Sequence, residues 1–201
     1  EESHDEEEHF LHSAEETEEE HNEHVHTMDE HVWTSPGNAI DIVEHITEEL
    51  CSLDPEHGQA YKDNAEAYEA QLKELDTEFR DVVENAKNHT LLFGDRFPFR
   101  YFAAEYGLDY YAAFSGCASD TEPSAATMAF LINKVKEEHI PVVLKMELSN
   151  DNIANAIAEA CDVPVKVFYS RHNISAKQFE AGVTYLDLMK ENVETLKEAL
   201  R

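Results

Sequence analysis

Apolar residues are spaced in two ways along the chain, and the change comes at Thr90. Before it they recur at helical steps. Ala39, Ile42, Val43, Ile46 and Leu50 fall on one helical face. Ser35-Pro36 supplies an N-cap and a first-turn proline for that helix, and Asp54-Pro55 ends it and starts another. Tyr61, Tyr68, Leu72, Leu75, Phe79, Val82, Val83 and Ala86 then repeat at three- and four-residue steps, without a breaker from about Pro55 to Lys87. At 1.5 Å per residue this predicts a rod of roughly 45–50 Å. Its stripe lacks regular heptads, so it reads as a strut along two lobes rather than a coiled-coil arm.

After Thr90 the apolar residues bunch into short runs. Thr90–Gly94, Tyr110–Phe114, Val142–Met146 and Val165–Phe168 read as buried strands. Helical stretches near Phe99–Tyr106, Ser124–Glu138 and Asp151–Cys161 lie between them, and a last helix is expected near Thr184–Leu200. Strand–helix alternation predicts an α/β fold, a parallel sheet with flanking helices joined to the long connecting helix. Ligands bind at the carboxyl ends of such strands. The segments that follow the strands are therefore candidates: Asp95, Ser115–Glu122, Glu147 and Tyr169–His172.

Charge narrows the picture. The 201 residues carry 44 acids against 15 bases, a formal net charge of −29. Phosphate backbones would be repelled, so nucleic-acid binding is excluded. No Lys or Arg precedes Lys62, and residues 1–31 hold fourteen Asp/Glu and seven His. Residues 1–30 are too polar to fold alone and read as a His/Glu-rich disordered loop. Residues 31–54, 55–89 and 90–201 read as the end of an amino-terminal lobe, the linking helix and a carboxyl-terminal α/β lobe. No run is apolar enough to span a membrane, and no signal peptide is visible. The chain opens on an acidic tract without Met, so an upstream part is expected. Cys51, Cys117 and Cys161 show no zinc-type spacing, and their odd number leaves the redox setting open.

Within the stretch His21–Pro36, His21, His24, His26 and His31 lie among carboxylates with no cation nearby. Imidazole suits zinc, copper, nickel and iron, and carboxylate suits manganese, magnesium and calcium, so the mixture points to a divalent transition metal. His21, His24 and His26 on a mobile arm would bind weakly and at several sites. Asp95, Glu147 and His172 can meet at one sheet edge, with His31 facing them.

These residues resemble a known family, the zinc- and manganese-binding solute-binding proteins of ABC transporters. Asp29-Glu30-His31-Val32-Trp33-Thr34-Ser35-Pro36 is similar to the family's D-P-H-x-W-x-x-P, with Glu30 in place of Pro. Phe99–Leu108 is similar to F-x-Y-F-x-x-x-Y-G-L, Glu122-Pro123-Ser124 to the E-P-S that opens a helix, and Lys145-Met146-Glu147 to a strand followed by an acid. The resemblance implies two α/β lobes joined by a single helix, metal in the cleft between them and an acidic His-rich loop beside it. It also implies an extracytoplasmic, often lipid-anchored, monomeric protein that docks on a membrane permease.

By position, His31 corresponds to the family's second metal ligand. The third falls at Arg96, which cannot ligate, so the adjacent Asp95 is expected to serve after a one-residue insertion. Counting back from Tyr185 places the fourth at His172. Glu147 is expected to orient a ligand. The family's first ligand has no counterpart, which implies that most of the amino-terminal lobe lies outside this sequence. The expected cargo is Zn2+, with Mn2+ second. No catalytic step is expected. Two other functions stay open: a metal-dependent hydrolase, although HExxH and GxSxG are missing, and a metal buffer acting through the His-rich arm.

Overall fold

Side chains of β1 (Thr90–Phe97) alternate between two buried layers. In the computed structural model, which describes residues 29–115 and 122–201, Leu91 and Phe93 enter one layer and Leu92 the other. Both faces of β1 are therefore covered, which is why its sequence is a continuous apolar run rather than an alternating one. β2 (Asp109–Ser115), β3 (Val143–Lys145) and β4 (Val165–Val167) complete a four-stranded, all-parallel sheet in the order β2-β1-β3-β4. The chain leaves β1 towards β2 on one side and returns to β3 on the other. The crevice at the carboxyl ends of β1 and β3 is thus the switch point where this architecture admits ligands.

The helices are α1 (Pro36–Leu53), α2 (Gly58–Glu84), α3 (Arg100–Tyr106), α4 (Ala125–Glu137), α5 (Asn152–Cys161), α6 (Ala176–Glu180) and α7 (Tyr185–Ala199). α2, α3 and α7 cover one face through Leu75, Phe79, Phe102, Met189 and Val193. α4 and α5 cover the other through Leu131, Val135 and Ile157. The expected α/β architecture of parallel strands with flanking helices is the one observed.

Three details differ from the sequence reading. The long helix is shorter: Pro55–His57 forms a 3-10 turn, and the 27 residues of α2 span about 40 Å. Asp54 closes that corner by accepting from the His57 ring and the Tyr61 hydroxyl, each at 2.8 Å. The five-residue α6, started by a Ser175–Gln178 capping box, is too short to give a periodic signal. The apolar stripe of α1 is only partly covered. Ala39 is buried, but Ile46 is 52% and Leu50 40% exposed.

Gly94 sets the geometry of the site edge. A Cβ there would lie 2.5 Å from the Ala154 Cα, so only glycine lets α5 pack against β1. One residue later β1 bulges. Phe93 pairs with Ala112 but Arg96 with Phe114, so β1 carries one residue more than β2 in this interval. A bulge of this kind re-aims side chains, and here it falls on Gly94 and Asp95.

Candidate metal centre

A cavity of about 270 Å³ opens at the carboxyl ends of the strands. Its wall is drawn from four segments: His31 ahead of α1, Arg96 and Pro98 from the end of β1, Met146 and Glu147 after β3, and Ser170, His172 and Asn173 after β4. A larger hollow, about 580 Å³, lies between the ends of α2 and α7 at the opposite edge of the sheet. It is lined by Glu78, Asp81, Lys197 and Arg201 among others and by no His or Cys.

His31 is 5% exposed, and one oxygen of Asp29 holds both its backbone and its ring. Its backbone N–H donates to Asp29 Oδ1 at 2.9 Å, and its ring Nδ1 lies 2.8 Å from the same oxygen. A carboxylate only accepts, so Nδ1 carries the proton and Nε2 keeps its lone pair. A carboxylate behind an imidazole is the arrangement that orients metal-binding histidines and raises their basicity. The segment is tied down further by Tyr101, whose hydroxyl donates to the Asp29 carbonyl at 2.9 Å, and by Thr34, which donates to the His31 carbonyl at 2.7 Å. Ser35 then caps α1 by accepting from the Asn38 N–H and donates to Glu105.

His172 stands exposed on the loop after β4. Its ring centroid is 5.7 Å from that of His31, and the Trp33 ring packs beside both, at 5.4 Å from His31 and 6.2 Å from His172. Trp33 also stitches the two segments together. Its Nε1–H donates to the Ser170 carbonyl at 3.0 Å, and its own carbonyl accepts from Tyr185 Oη at 2.9 Å. Burial pushes the Tyr185 phenol up to about 12, with the neighbouring Arg171 pulling the other way.

Glu147 lines the cavity with its charge already engaged. It accepts from the Ser170 N–H and the Ser170 hydroxyl, each at 2.7 Å. The Ser170 Oγ in turn accepts from the His172 N–H at 3.2 Å. Glu147 therefore acts on the His172 loop through Ser170.

Asp95 is 5% exposed and does not line the cavity. Its oxygens accept from the Arg96 N–H at 2.8 Å and the Met146 N–H at 3.0 Å, pinning the β1 bulge to the end of β3. The residue that faces the cavity from β1 is Arg96, whose guanidinium also lies 5.7 Å from the Phe114 ring.

The structure thus brings His31, His172 and Glu147 to one cavity and sets Asp95 beneath its edge. Asp29 was legible only as a member of the D-x-H stretch; the two-residue spacing to His31 was its signal. Among the described residues, no three His, Cys, Asp or Glu side chains form a ready metal cluster. Cys51 and Cys161 are free thiols, the latter pushed up in pKa by burial. His21, His24, His26 and Cys117 lie outside the described residues.

Known proteins are similar to this chain in sequence and in shape. The family model for the zinc-uptake complex component A, periplasmic, matches residues 2–199. The high-affinity zinc uptake system protein ZnuA of Bacillus subtilis is 32% identical over 175 residues, covering 87% of this chain and 54% of its own length. The zinc-binding lipoprotein AdcA of Streptococcus pneumoniae is 33% identical over 87% of this chain and 34% of its own. The chain therefore spans about half, or less, of the curated relatives it matches. Among solved structures, the metal-dependent lipoprotein YcdH of B. subtilis superposes with a TM-score of 0.77 at 31% identity, over 88% of this chain and 66% of its own. The Zn(II)-bound ZnuA-like domain of S. pneumoniae AdcA gives 0.73 at 32% identity, over 86% and 64%. A family match across nearly the whole chain, on the parallel sheet whose switch point carries the histidine pair, means that this chain belongs to the zinc-uptake component A family.

Proposed function

We propose that this chain captures zinc outside the cytoplasm, as part of a solute-binding protein that hands the ion to an ABC permease. The observation that carries the reading is the distance between His31 and His172. Two imidazoles sharing one tetrahedral zinc, with Zn–N of about 2.0–2.1 Å, hold their ring centroids roughly 5 Å apart. The 5.7 Å found here is close to that. His31 coordinates through Nε2, because Asp29 holds the Nδ1 proton. The two imidazoles leave the remaining positions of a tetrahedral ion open to water. In this reading residues 31–54 end an amino-terminal lobe, α2 links the lobes and residues 90–201 form the second lobe.

Asp95 is assigned a different role from the one the resemblance implied. A carboxylate whose oxygens already hold the Arg96 and Met146 amides fixes the strand ends under the site. Glu147 fixes the His172 loop through Ser170. The acidic His-rich arm raises the local zinc concentration with weak sites of its own. The reading has no catalytic step. No helix among the described residues is long and apolar enough to cross a membrane.

The test is a zinc titration of the chain against a chromophoric chelator. The wild type binds one ion tightly and others weakly. His31→Ala and His172→Ala each weaken the tight site at least tenfold. The combined His21→Ala, His24→Ala, His26→Ala variant loses weak sites and keeps the tight one. If that arm variant loses all binding instead, the arm is the function and the cleft reading fails.

A further inference from the structure

Arg171 precedes His172 and is one of the few non-glycine residues with positive φ, at 56°. A side chain rarely adopts this backbone, and it persists where the surroundings over-determine it. The surroundings here are specific. The guanidinium donates to the Tyr169 carbonyl at 2.9 Å and more loosely to the Ser170 carbonyl at 3.4 Å. Its carbon sits 4.6 Å from the centre of the Tyr185 ring. Its Nε is shut off from solvent without a hydrogen-bond partner among the described residues, so the charge is held inside despite a donor left unmet.

Two of the three groups that Arg171 touches, the Ser170 carbonyl and Tyr185, belong to the seam that sets the histidine pair. The Ser170 carbonyl also accepts Trp33 Nε1–H. Tyr185 donates to the Trp33 carbonyl. Trp33 packs against His31 and His172. A fork-shaped cation suits this junction, because it reaches two carbonyls and lies on an aromatic face at once.

We propose that Arg171 is a positioning residue for metal capture: by clamping the Tyr169–Ser170 carbonyls against Tyr185 it holds the loop turn that presents His172 to His31. This rests on the reading of His31 and His172 as a zinc-binding pair. Arg171 touches no metal in this scheme and acts only through the loop and through Trp33.

The test compares wild type, Arg171→Met and Arg171→Lys in the full chain, with two readouts. The first is zinc affinity by chelator competition. The second is hydrogen exchange of the Trp33 indole N–H in metal-free protein, followed by NMR; Trp33 is the only tryptophan, so its signal is unambiguous. Arg171→Met is expected to weaken zinc binding by about 10- to 100-fold and to speed indole exchange. The thermal midpoint of the metal-free protein moves little. Arg171→Lys keeps a cation on the Tyr185 ring but loses the fork, and falls between the two. Wild-type zinc affinity in Arg171→Met overturns the proposal whatever the indole does. If Arg171→Met does not fold, Arg171→Lys alone decides by the same criterion. If the wild-type chain binds no zinc, the metal reading falls, and the indole exchange alone then decides whether Arg171 holds the seam.

Discussion

The carboxylate of Asp29 meets both the backbone N–H and the ring Nδ1 of His31 through one oxygen, at 2.9 and 2.8 Å. That single contact chooses the tautomer and so chooses which nitrogen faces the cavity. Asp29→Asn offers an amide in place of the charged acceptor and no longer stabilises the polarised imidazole. Zinc affinity should drop about 10- to 100-fold, while the metal-free unfolding midpoint stays within a few degrees. Chelator competition and a thermal scan check both halves. Unchanged affinity would show that the pairing is merely local.

The seam between the His31 segment and α7 runs through Tyr185 and the Trp33 carbonyl. Tyr185→Phe keeps the ring under Arg171 and removes only the hydroxyl. The expected loss is about 1 kcal/mol of stability, the usual net worth of one hydrogen bond. It would be read as a shifted urea midpoint with an unchanged slope.

Gly94 is irreplaceable for steric reasons. In Gly94→Ala the new methyl would sit 2.5 Å from the Ala154 Cα, a backbone atom that cannot swing aside. Separating α5 from β1 should cost about 1–3 kcal/mol, as overpacked sites do. Denaturant unfolding measures it, and a neutral result would mean that α5 is free to shift.

Burial raises the phenol pKa values of Tyr106, Tyr110 and Tyr185, the last to about 12. In the unfolded chain these groups lose protons near their ordinary value of about 10, so above that pH the folded state binds more protons than the unfolded one. Stability is then fully present below about pH 10 and falls as pH rises through the folded values. Phenolate absorbance during an alkaline titration should show a fast-titrating exposed fraction and a second fraction that appears only with loss of helix signal. A single smooth transition with the helix intact would contradict this.

Much of the frame was written in the hydrophobic pattern. The four apolar runs became the four strands because a sheet buried on both faces needs continuous apolar stretches. Ser35-Pro36 and Asp54-Pro55 bounded α1 because their local chemistry acts without tertiary help. What stayed hidden depends on contacts across the fold. Ile46 and Leu50 look like core in a periodic pattern, and only their exposure among the described residues sets them apart. Counting along the family motif fell on Arg96, and Arg96 rather than the adjacent Asp95 lines the cavity. Arg171 and Ser170 carry no motif. Their role follows from Tyr185 and Trp33 arriving from distant parts of the chain.

Whether His31 and His172 share one ion is tested most directly by imidazole 15N NMR of the full chain with one equivalent of zinc. The predicted result is that His31 Nε2 and one ring nitrogen of His172 shift together while His31 Nδ1 keeps its proton. Resonances of both residues that stay in place while only those of His21, His24 and His26 move would contradict it.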